Sequence, residues 1–396
     1  MSVYYVYSIM STYIYILGKD RDLSLAELKA CYSDAIFNAI GSDFAILDID
    51  QKINQTEFDK MGGVIKAGKL VSESDRKDLV DKLAECLCQH DSGSKLNYGI
   101  SIYGFSEKNL RSILLDLKKK LKKEDISSRF ANQHFLNLST AQHKGLGQKG
   151  VEFIIAKNQN SFLIFEVIAV QDIDSYSMRD YNKPYRNMRV GMLPPKLAQI
   201  MINLTGKKGV IWDPFCGGGV LLMEGLLMGH DMLGSDIEPA VIEGAKTNIS
   251  WLKNEFGVKK KADLFIHDAT RPFSGKKFEA ISAEGYLGPP QSSMHYADDL
   301  MPVIKKLDDL YVDFFKAIKA IKFRGPVVIA LPFFRCMGGQ ILDLSQTVSD
   351  IQKIGFRLIP LIPETILERD RCRLSYSRGD QMVGRDIYRF ELNSKL

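Results

Sequence analysis

The chain has 396 residues, which is too long for one ordinary domain and predicts two or three. Its hydrophobic content of 45% and charged content of 26% fit a globular protein with sizeable cores. The net charge of +5 permits a nucleic-acid partner without requiring one, and no apolar stretch is long enough to predict a membrane span.

The N-terminal half mixes short strands with helices. Runs rich in Ile, Val, Phe and Tyr predict strands, and two runs with apolar residues at helical spacing predict helices. The predicted strands are VYYVY at 3–7, TYIYILG at 12–18, FAILDI at 44–49, NYGISIYGF at 97–105, FIIAK at 153–157 and SFLIFEVIAV at 161–170. The predicted helices are LSLAELKACYS at 23–33 and SEKNLRSILLDLKKKLKKED at 106–125. Residues 1–170 are therefore predicted to be α+β.

Residues 171–195 have little periodicity and several turn formers, which predicts a connecting segment. Two interpretations stay open for its Arg179, Arg186 and Arg189: contact with phosphate or a cofactor-side loop, or surface salt bridges.

From Pro195 onward, short apolar runs alternate with helical segments. The predicted strands are GVIWD at 209–213, DMLGSD at 231–236, DLFIHD at 263–268, FEAISAE at 278–284, PVVIAL at 326–331, FRLIPLIPE at 356–364 and GRDIYRFEL at 384–392. The predicted helices are PKLAQIMINL at 195–204, VLLMEGLLMG at 220–229, PAVIEGAKTNISWLKNEF at 239–256 and LDDLYVDFFKAIKAIKF at 307–323. The alternation predicts parallel βαβ units in a doubly wound α/β sheet.

The strongest signal is VIWDPFCGGGVLLMEGLLMGHDMLGSDIEPA at 210–240. A strand ending at Asp213 leads into three glycines and an apolar helix, and the next strand ends 23 residues later at Asp236. Glycines let the backbone approach a ligand, a helix N-terminus favours a ligand carboxylate, and an acid at this spacing is placed to bind ribose hydroxyls. This predicts a nucleoside-cofactor site. NAD is disfavoured because no G-x-G-x-x-G stands in the right register.

The run Asp213-Pro-Phe-Cys-Gly-Gly-Gly resembles the S-adenosylmethionine loop of class I methyltransferases, which usually has Thr at the middle glycine. The resemblance implies S-adenosylmethionine as cofactor and a Rossmann-like fold. Asp268, in IHDAT, matches an acid that accepts a hydrogen bond from the adenine amine, although a turn-forming role for it stays open. The cofactor-binding residues expected from this resemblance are Asp213, Phe215, Cys216, Gly217, Gly219, Asp236, Ile237, Asp268 and Ala269. No metal site is expected, since no cysteine pair has zinc spacing.

Three further stretches resemble THUMP-domain tRNA guanosine-N2 methyltransferases. They are LGKDRDLSLAELKA near the N-terminus, RDYNKPYRNMRVGMLPPKLAQIMINL at 179–204 and SYSRGDQMVGRDIYRF at 375–390. The resemblance implies methyl transfer to the exocyclic N2 of a guanosine, at position 10 of tRNA, and it leaves a small helper subunit possible. It also implies a ferredoxin-like region at 1–80, a THUMP-like RNA-binding module at 81–172, a linker at 173–195 and a methyltransferase domain at 196–396.

Basic residues of the N-terminal half are the expected RNA contacts, because Lys and Arg neutralise phosphates. The candidates are Lys118, Lys119, Lys120, Lys122, Lys123, Arg129, Lys144 and Lys149. The cysteines are expected to be reduced thiols of a cytoplasmic protein.

The stretch ISAEGYLGPP, at 281–290, stands where the resemblance would give Asp-Pro-Pro-Tyr or Asn-Pro-Pro-Tyr. Its Glu284, Gly285 and Tyr286 are the candidate catalytic residues: a carboxylate and a backbone carbonyl can accept from the target amine, and an aromatic ring can stack the base. Gly285 in place of proline predicts a flexible backbone there. Two alternatives stay open: an RNA-binding protein that holds the cofactor without turnover, and an amino-methyltransferase for DNA or another RNA base.

Overall fold

The computed structural model describes residues 10–91, 93–106, 108–159, 161–186, 192–291, 293–369, 371–379 and 381–393. The chain divides into two compact units, one of residues 1–25, 32–59 and 63–173 and one of residues 26–31, 60–62 and 174–396. The strand predicted at 3–7 lies outside the described residues.

The described part of the N-terminal half contains the α+β elements predicted for it, with additions. Its strands are β1 (Ser11–Leu17), β2 (Ile36–Ile40), β3 (Phe44–Ile49), β4 (Val64–Ser74), β5 (Leu96–Tyr103), β6 (Ser128–Phe130), β7 (Val151–Asn158) and β8 (Ser161–Val170). Its helices are α1 (Arg21–Cys31), α2 (Gln55–Phe58), α3 (Leu79–Cys88), α4 (Lys108–Lys123) and α5 (Thr140–Lys144).

One sheet, in the order β2-β3-β1-β4-β8-β7-β5-β6, runs through the first unit. The apolar faces of α3 and α4 pack on β5, β7 and β8, so their leucines form one core with the isoleucines of the strands. The sheet is continuous across residue 80 because β4 pairs antiparallel with β8. The division of this region into a ferredoxin-like and a THUMP-like part stays a prediction.

A buried ion pair crosses the middle of this sheet. Lys66 Nζ on β4 lies 2.6 Å from Glu152 Oε1 on β7, and the two side chains are 2% and 0% exposed. Ser101 and His143 also hydrogen-bond the Glu152 carboxylate, at 2.6 and 2.8 Å. Burial alone would raise the pKa of Glu152, but the hydrogen bonds from His143 and Lys66 hold that pKa below its ordinary value. Lys66 also donates to the Leu138 carbonyl at 2.6 Å, which anchors the segment before α5.

The C-terminal half alternates strand and helix. Its helices are α6 (Ile173–Tyr181), α7 (Pro195–Leu204), α8 (Val220–Leu227), α9 (Pro239–Phe256), α10 (Ala297–Ala320) and α11 (Ser345–Ile354). Its strands are β9 (Val210–Asp213), β10 (Asp231–Asp236), β11 (Ala262–Ile266), β12 (Ala280–Glu284), β13 (Val327–Arg335), β14 (Ile341–Leu342), β15 (Phe356–Ile359), β16 (Leu374–Tyr376) and β17 (Val383–Leu392).

The sheet of the second unit has the order β11-β10-β9-β12-β13-β17-β15. Strands β9 to β13 are parallel to one another, and β17 is antiparallel to both β13 and β15. The apolar faces of α10 and α11 bury Trp212 and the inner residues of β12 and β13. The predicted doubly wound sheet is confirmed.

Two helical predictions are wrong. The segment after residue 172 is not only a connection, because α6 occupies Ile173–Tyr181. The buried Arg179 of α6 is paired inside the unit, so apolar periodicity does not reveal the helix. Helix α10 begins at Ala297, ten residues before the predicted start, and Pro302 lies within its first two turns.

Candidate active site

The candidate active site is a cavity of about 520 Å³ at the carboxyl ends of β9, β10 and β12. The strand order reverses between β9 and β12, and ligands of open α/β sheets bind at such a point. The lining residues are Lys183, Tyr185, Met192, Leu193, Asp213, Phe215, Cys216, Gly217, Gly218, Val220, Leu221, Asp236, Ile237, Glu238, Val241, Glu284, Gly285, Tyr286, Leu287 and Leu310.

The glycine-rich loop between β9 and α8 forms one wall. Gly217 and Gly219 have φ of +51° and +82°, a left-handed conformation that glycine adopts without steric cost. The N–H of Gly219 donates to the Cys216 carbonyl at 2.8 Å, so the loop closes on itself before α8 begins. Burial, with Asp213 and Asp236 nearby, raises the pKa of the Cys216 thiol well above its ordinary value. Cys216 is therefore a neutral packing residue.

Two acids hold the ends of the neighbouring strands. Asp236 accepts from the N–H groups of Gly217 and Glu238, at 3.1 and 3.0 Å, and this ties the glycine loop to the end of β10. Asp213 accepts from the Phe215 N–H at 3.1 Å. Burial, with the negative charges of Asp236 and Glu284, raises the pKa of Asp213 well above its ordinary value.

The segment that follows α6 forms the opposite wall, which the sequence did not predict. Lys183 is 3% exposed, and its ammonium donates to the carbonyls of Asp180 and Arg179 at 2.8 and 3.3 Å. Burial lowers the pKa of Lys183, and Asp180 opposes this. Lys183 is the one cation among the described residues that line the cavity.

Asn248 on α9 clamps this segment to the glycine loop. Its side-chain amide exchanges hydrogen bonds with the backbone N–H and carbonyl of Tyr185, at 2.8 and 3.0 Å. It also donates to the Gly218 carbonyl at 2.8 Å. The Tyr185 ring lies so close to Gly244 that a Cβ there would be 2.4 Å from it. The wall at 183–185 is therefore fixed by one buried side chain.

Arg179 belongs to a buried polar network and has no access to phosphate. Its Nε donates to Glu224 Oε1 at 2.7 Å, and Gln199 donates to the other oxygen of Glu224 at 3.0 Å. Both charged side chains are at most 6% exposed. Neither interpretation of Arg179 from the sequence is correct, because its ion pair is internal. Arg186 stacks on the Tyr181 ring at 5.8 Å, and Arg189 lies outside the described residues.

Glu284 ends β12 at the cavity and forms an ion pair with Arg385 of β17. The Arg385 Nε donates to Glu284 Oε1. The side chains are 3% exposed for Arg385 and 15% for Glu284, so this pair lies largely out of water. Arg385 stands 101 residues from Glu284, and no motif or spacing predicts that they meet.

The backbone after Glu284 is held from two sides. The Gly285 N–H donates to the Ala330 carbonyl of β13 at 3.1 Å. The Tyr311 hydroxyl of α10 donates to the Tyr286 carbonyl at 2.7 Å. The φ of Gly285 is not in the left-handed region, but a Cβ on it would stand 2.2 Å from the Tyr311 oxygen. The expected flexibility at Gly285 is wrong: glycine is needed there for space.

The predicted site residues fall into two groups. The cavity lining brings together Asp213, Phe215, Cys216, Gly217, Asp236, Ile237, Glu284, Gly285 and Tyr286. Among the described residues of that lining, Gly219, Asp268 and Ala269 are absent. Gly219 caps α8, and Ala269 packs in the core. Asp268 accepts from the N–H and hydroxyl of Thr270 at 2.9 and 2.7 Å, in a turn. Its role in binding adenine stays a prediction.

The basic candidates of the first unit lie on several elements. Five lysines stand on α4, Arg129 lies on β6, Lys144 ends α5 and Lys149 precedes β7. Lys119, Lys120 and Lys144 are paired with Asp116, Asp81 and Asp172. Lys118 lies 5.7 Å over the Phe130 ring. Their role as RNA contacts stays a prediction.

Part of the second unit matches a known family of domains. Residues 183–266 match the family described as RMKL-like, methyltransferase domain, and this match includes the glycine loop, Asp236 and the wall at 183–185. Two solved structures share the fold along the chain. TrmN from Thermus thermophilus has a TM-score of 0.50 at 13% identity, covering 97% of this chain and 100% of that one. A possible methylase from Clostridium difficile 630 has a TM-score of 0.51 at 12% identity, covering 97% and 99%.

The chain is similar in sequence to curated archaeal enzymes named tRNA (guanine(10)-N2)-dimethyltransferase. The Pyrococcus abyssi protein is 34% identical over 170 residues, which are 42% of this chain and 44% of that protein. The Methanothermobacter thermautotrophicus protein is 36% identical over 91 residues, which are 22% of this chain and 26% of that protein. The chain thus matches less than half the length of these relatives.

Proposed function

We propose that this protein is an S-adenosylmethionine-dependent methyltransferase that transfers a methyl group to the exocyclic N2 of a guanosine in tRNA, at position 10. The observation that carries the proposal is one cavity in which the glycine loop after β9 and the acid that ends β12 face each other. The similarity to the archaeal proteins supports this choice of substrate, because their name specifies the N2 atom of guanine 10 in tRNA as the methyl acceptor.

The charges of the cavity fit this cofactor. Asp213, Asp236, Glu238 and Glu284 supply carboxyl groups, and Lys183 supplies an ammonium. S-Adenosylmethionine carries two cationic groups, the sulfonium and the ammonium, and one carboxylate. Asp236 would hold the ribose hydroxyls, and Lys183, beside the glycine loop, would bind the carboxylate. When bound, the cofactor supplies an electrophilic methyl group on sulfur.

The chain's own residues act on the acceptor amine. The lone pair of a guanine amine is delocalised into the ring, so the amine is a weak nucleophile. A Glu284 oxygen and a backbone carbonyl of the following residues would accept its N–H groups, localise the lone pair and stabilise the positive charge that develops on nitrogen. The ring of Tyr286, which is 47% exposed at the cavity mouth, would stack on the base after it leaves its helix.

The first unit would bind the tRNA. The exposed lysines of α4 and the arginine of β6 are suited to phosphate contacts, and a protein module that reads shape fits the recognition of folded RNA. We propose that residues 81–172 are the THUMP-like part of that unit and that the protein acts in the cytoplasm. Among the described residues, no helix is both long enough and apolar enough to cross a membrane.

Methylation of bulk tRNA tests the proposal. The full-length protein is incubated with tritiated cofactor and unmodified tRNA, and the RNA is digested to nucleosides. Label in N2-methylguanosine or N2,N2-dimethylguanosine is expected, and their ratio gives the number of transfers. Glu284→Ala is expected to lower turnover about 100- to 1,000-fold with S-adenosylhomocysteine affinity retained. Label in another nucleoside, or only in a DNA control, would contradict the proposal, and cofactor binding with no transfer would indicate a binding protein.

A further inference from the structure

The acid of the candidate site and its cationic partner are separated by a whole strand. Glu284 of β12 pairs in register with Ala330 of β13, and Arg385 of β17 pairs with Pro332 on the other side of β13. Neighbouring strands lie about 4.8 Å apart, so the pair spans about 10 Å of sheet. Two long side chains can meet over that distance, and an Asp carboxylate at 284 would end one C–C bond, or about 1.5 Å, nearer its own strand than the Glu284 carboxylate does.

The longer side chain of Glu284 is therefore matched to the position of Arg385 in this chain. A glutamate carboxylate that stood alone at this position would choose among several rotamers. The Arg385 guanidinium, held at 3% exposure and bonded through Nε, restricts that choice and leaves the second carboxylate oxygen for another donor. The ion pair also offsets the repulsion between Glu284 and the nearby Asp213, whose carboxyl senses the Glu284 charge.

The backbone beyond the acid is fixed by a second contact from a different element. Tyr311 is fully buried in α10, its ring packs edge-on against Phe215 of the glycine loop, and its hydroxyl donates to the Tyr286 carbonyl. The same hydroxyl occupies the space that a Cβ on residue 285 would need. Gly285 and Tyr311 are therefore complementary in shape, and the rigidity that a proline would give comes from a hydrogen bond.

We propose that Arg385 and Tyr311 are the positioning residues of the acceptor site, Arg385 for the Glu284 carboxylate and Tyr311 for the backbone carbonyls that follow it. The proposal deepens the proposed function and rests on it. It makes four residues one interdependent set. Glu284 stands in place of Asp and is matched by Arg385, and Gly285 stands in place of Pro and is matched by Tyr311. Neither Arg385 nor Tyr311 is among the described residues that line the cavity.

A double-mutant cycle tests Arg385. Turnover, Km for tRNA and affinity for S-adenosylhomocysteine are measured for Arg385→Met and Arg385→Lys, each in the wild-type and in the Glu284→Gln background. Arg385→Met is expected to lower kcat about 10- to 100-fold with cofactor affinity within about twofold, and Arg385→Lys to recover part of the loss. In the Glu284→Gln background, Arg385→Met should cause a clearly smaller loss, because the amide oxygen still accepts from Arg385 but the negative charge that the guanidinium pairs with is gone.

The control for this cycle is Arg357→Met, which removes an arginine from the exposed pair with Glu391 on the same sheet. It should leave kcat unchanged. If Arg385→Met lowered kcat equally in both backgrounds, Arg385 would act on stability alone and the proposal would be overturned. If Arg385→Met does not fold, the comparison of Arg385→Lys across the two backgrounds decides in the same way.

Tyr311 is tested by removal of one oxygen and by rescue. Tyr311→Phe should lower kcat about tenfold without change in cofactor affinity, because only the bond to the Tyr286 carbonyl is lost. Gly285→Ala should lower the melting temperature in the wild-type background and much less in the Tyr311→Leu background, since leucine vacates the position of the phenol. Equal destabilisation in both backgrounds would overturn the complementarity.

The two levels of failure are distinguishable. If the wild-type protein places no label in N2-methylated guanosine, the proposed function fails, whereas the melting-temperature cycle at Gly285 and Tyr311 still reports on the set. If the wild type is active and Arg385→Met and Tyr311→Phe turn over at the wild-type rate, the positioning roles fail and the proposed function stands.

Discussion

Lys183→Met tests whether the wall at 183–185 recognises the cofactor carboxylate. A hydrogen bond between charged partners contributes about 1.5–3 kcal/mol, and at 3% exposure Lys183 is little screened by water. At about 1.4 kcal/mol per factor of ten, the dissociation constant of S-adenosylhomocysteine should rise about 10- to 100-fold. The assay is calorimetric titration, with each titration repeated on the decarboxylated analogue of that ligand.

The analogue separates recognition from general damage. It has no carboxylate, so its affinity should be nearly the same for the wild type and for Lys183→Met. Lys183 also bonds the last carbonyls of α6, so the variant is expected to melt about 2–4 °C lower, from the loss of about 1 kcal/mol. Lys246→Met, which removes an exposed lysine paired with Glu243, is the control. An equal loss of affinity for both ligands would refute the reasoning.

Three further predictions concern stability and RNA binding. Asp213→Asn should raise the melting temperature by a few degrees at pH 8, because the raised pKa of Asp213 means that its ionisation costs stability; the gain should shrink as the pH falls toward the ordinary range of an aspartate, followed by calorimetry. Lys66→Met should lower the free energy of unfolding of the first unit by about 3–5 kcal/mol, measured in urea, because it leaves the Glu152 charge buried without its partner. The double variant Lys66→Met, Glu152→Leu should recover much of that loss; a double variant as unstable as Lys66→Met would show that the two residues are not coupled. Lys122→Ser with Lys123→Ser should weaken tRNA binding and lower its salt slope by about 2, with cofactor affinity unchanged; an unchanged slope would remove both from the RNA contacts.

Much of the second unit could be predicted because its signals are local. Each parallel strand is a short apolar run, and Asp213, Asp236 and Glu284 end three of them, so their meeting at one edge follows from topology. Helix α6 was not predicted because its buried face carries Arg179, whose partner Glu224 stands 45 residues away in the sequence. The periodicity of apolar residues cannot indicate that a charged side chain is buried, because its partner is brought to it only by the tertiary structure.

The unpredicted part of the site depends on contacts between distant residues. Tyr311 lies 25 residues from the carbonyl it holds, on a face of α10 that looks like ordinary core. From the sequence alone, Gly285 predicts a flexible backbone. Only the position of the Tyr311 hydroxyl shows that a side chain at 285 is excluded for lack of space. The register of β17, which brings Arg385 level with Pro332, is likewise a property of the assembled sheet.

The clamp made by Asn248 has a consequence for the boundaries of the catalytic half. A fragment that started at Pro195 would keep every strand of the sheet but would lack Lys183 and Tyr185, and with them one side of the cofactor's enclosure. The buried Asn248 would then lose its two hydrogen bonds to Tyr185 and keep only the one to the Gly218 carbonyl. Excision experiments and swaps between homologues should therefore cut upstream of α6, since a cut at the proline pair would leave the pocket open to water.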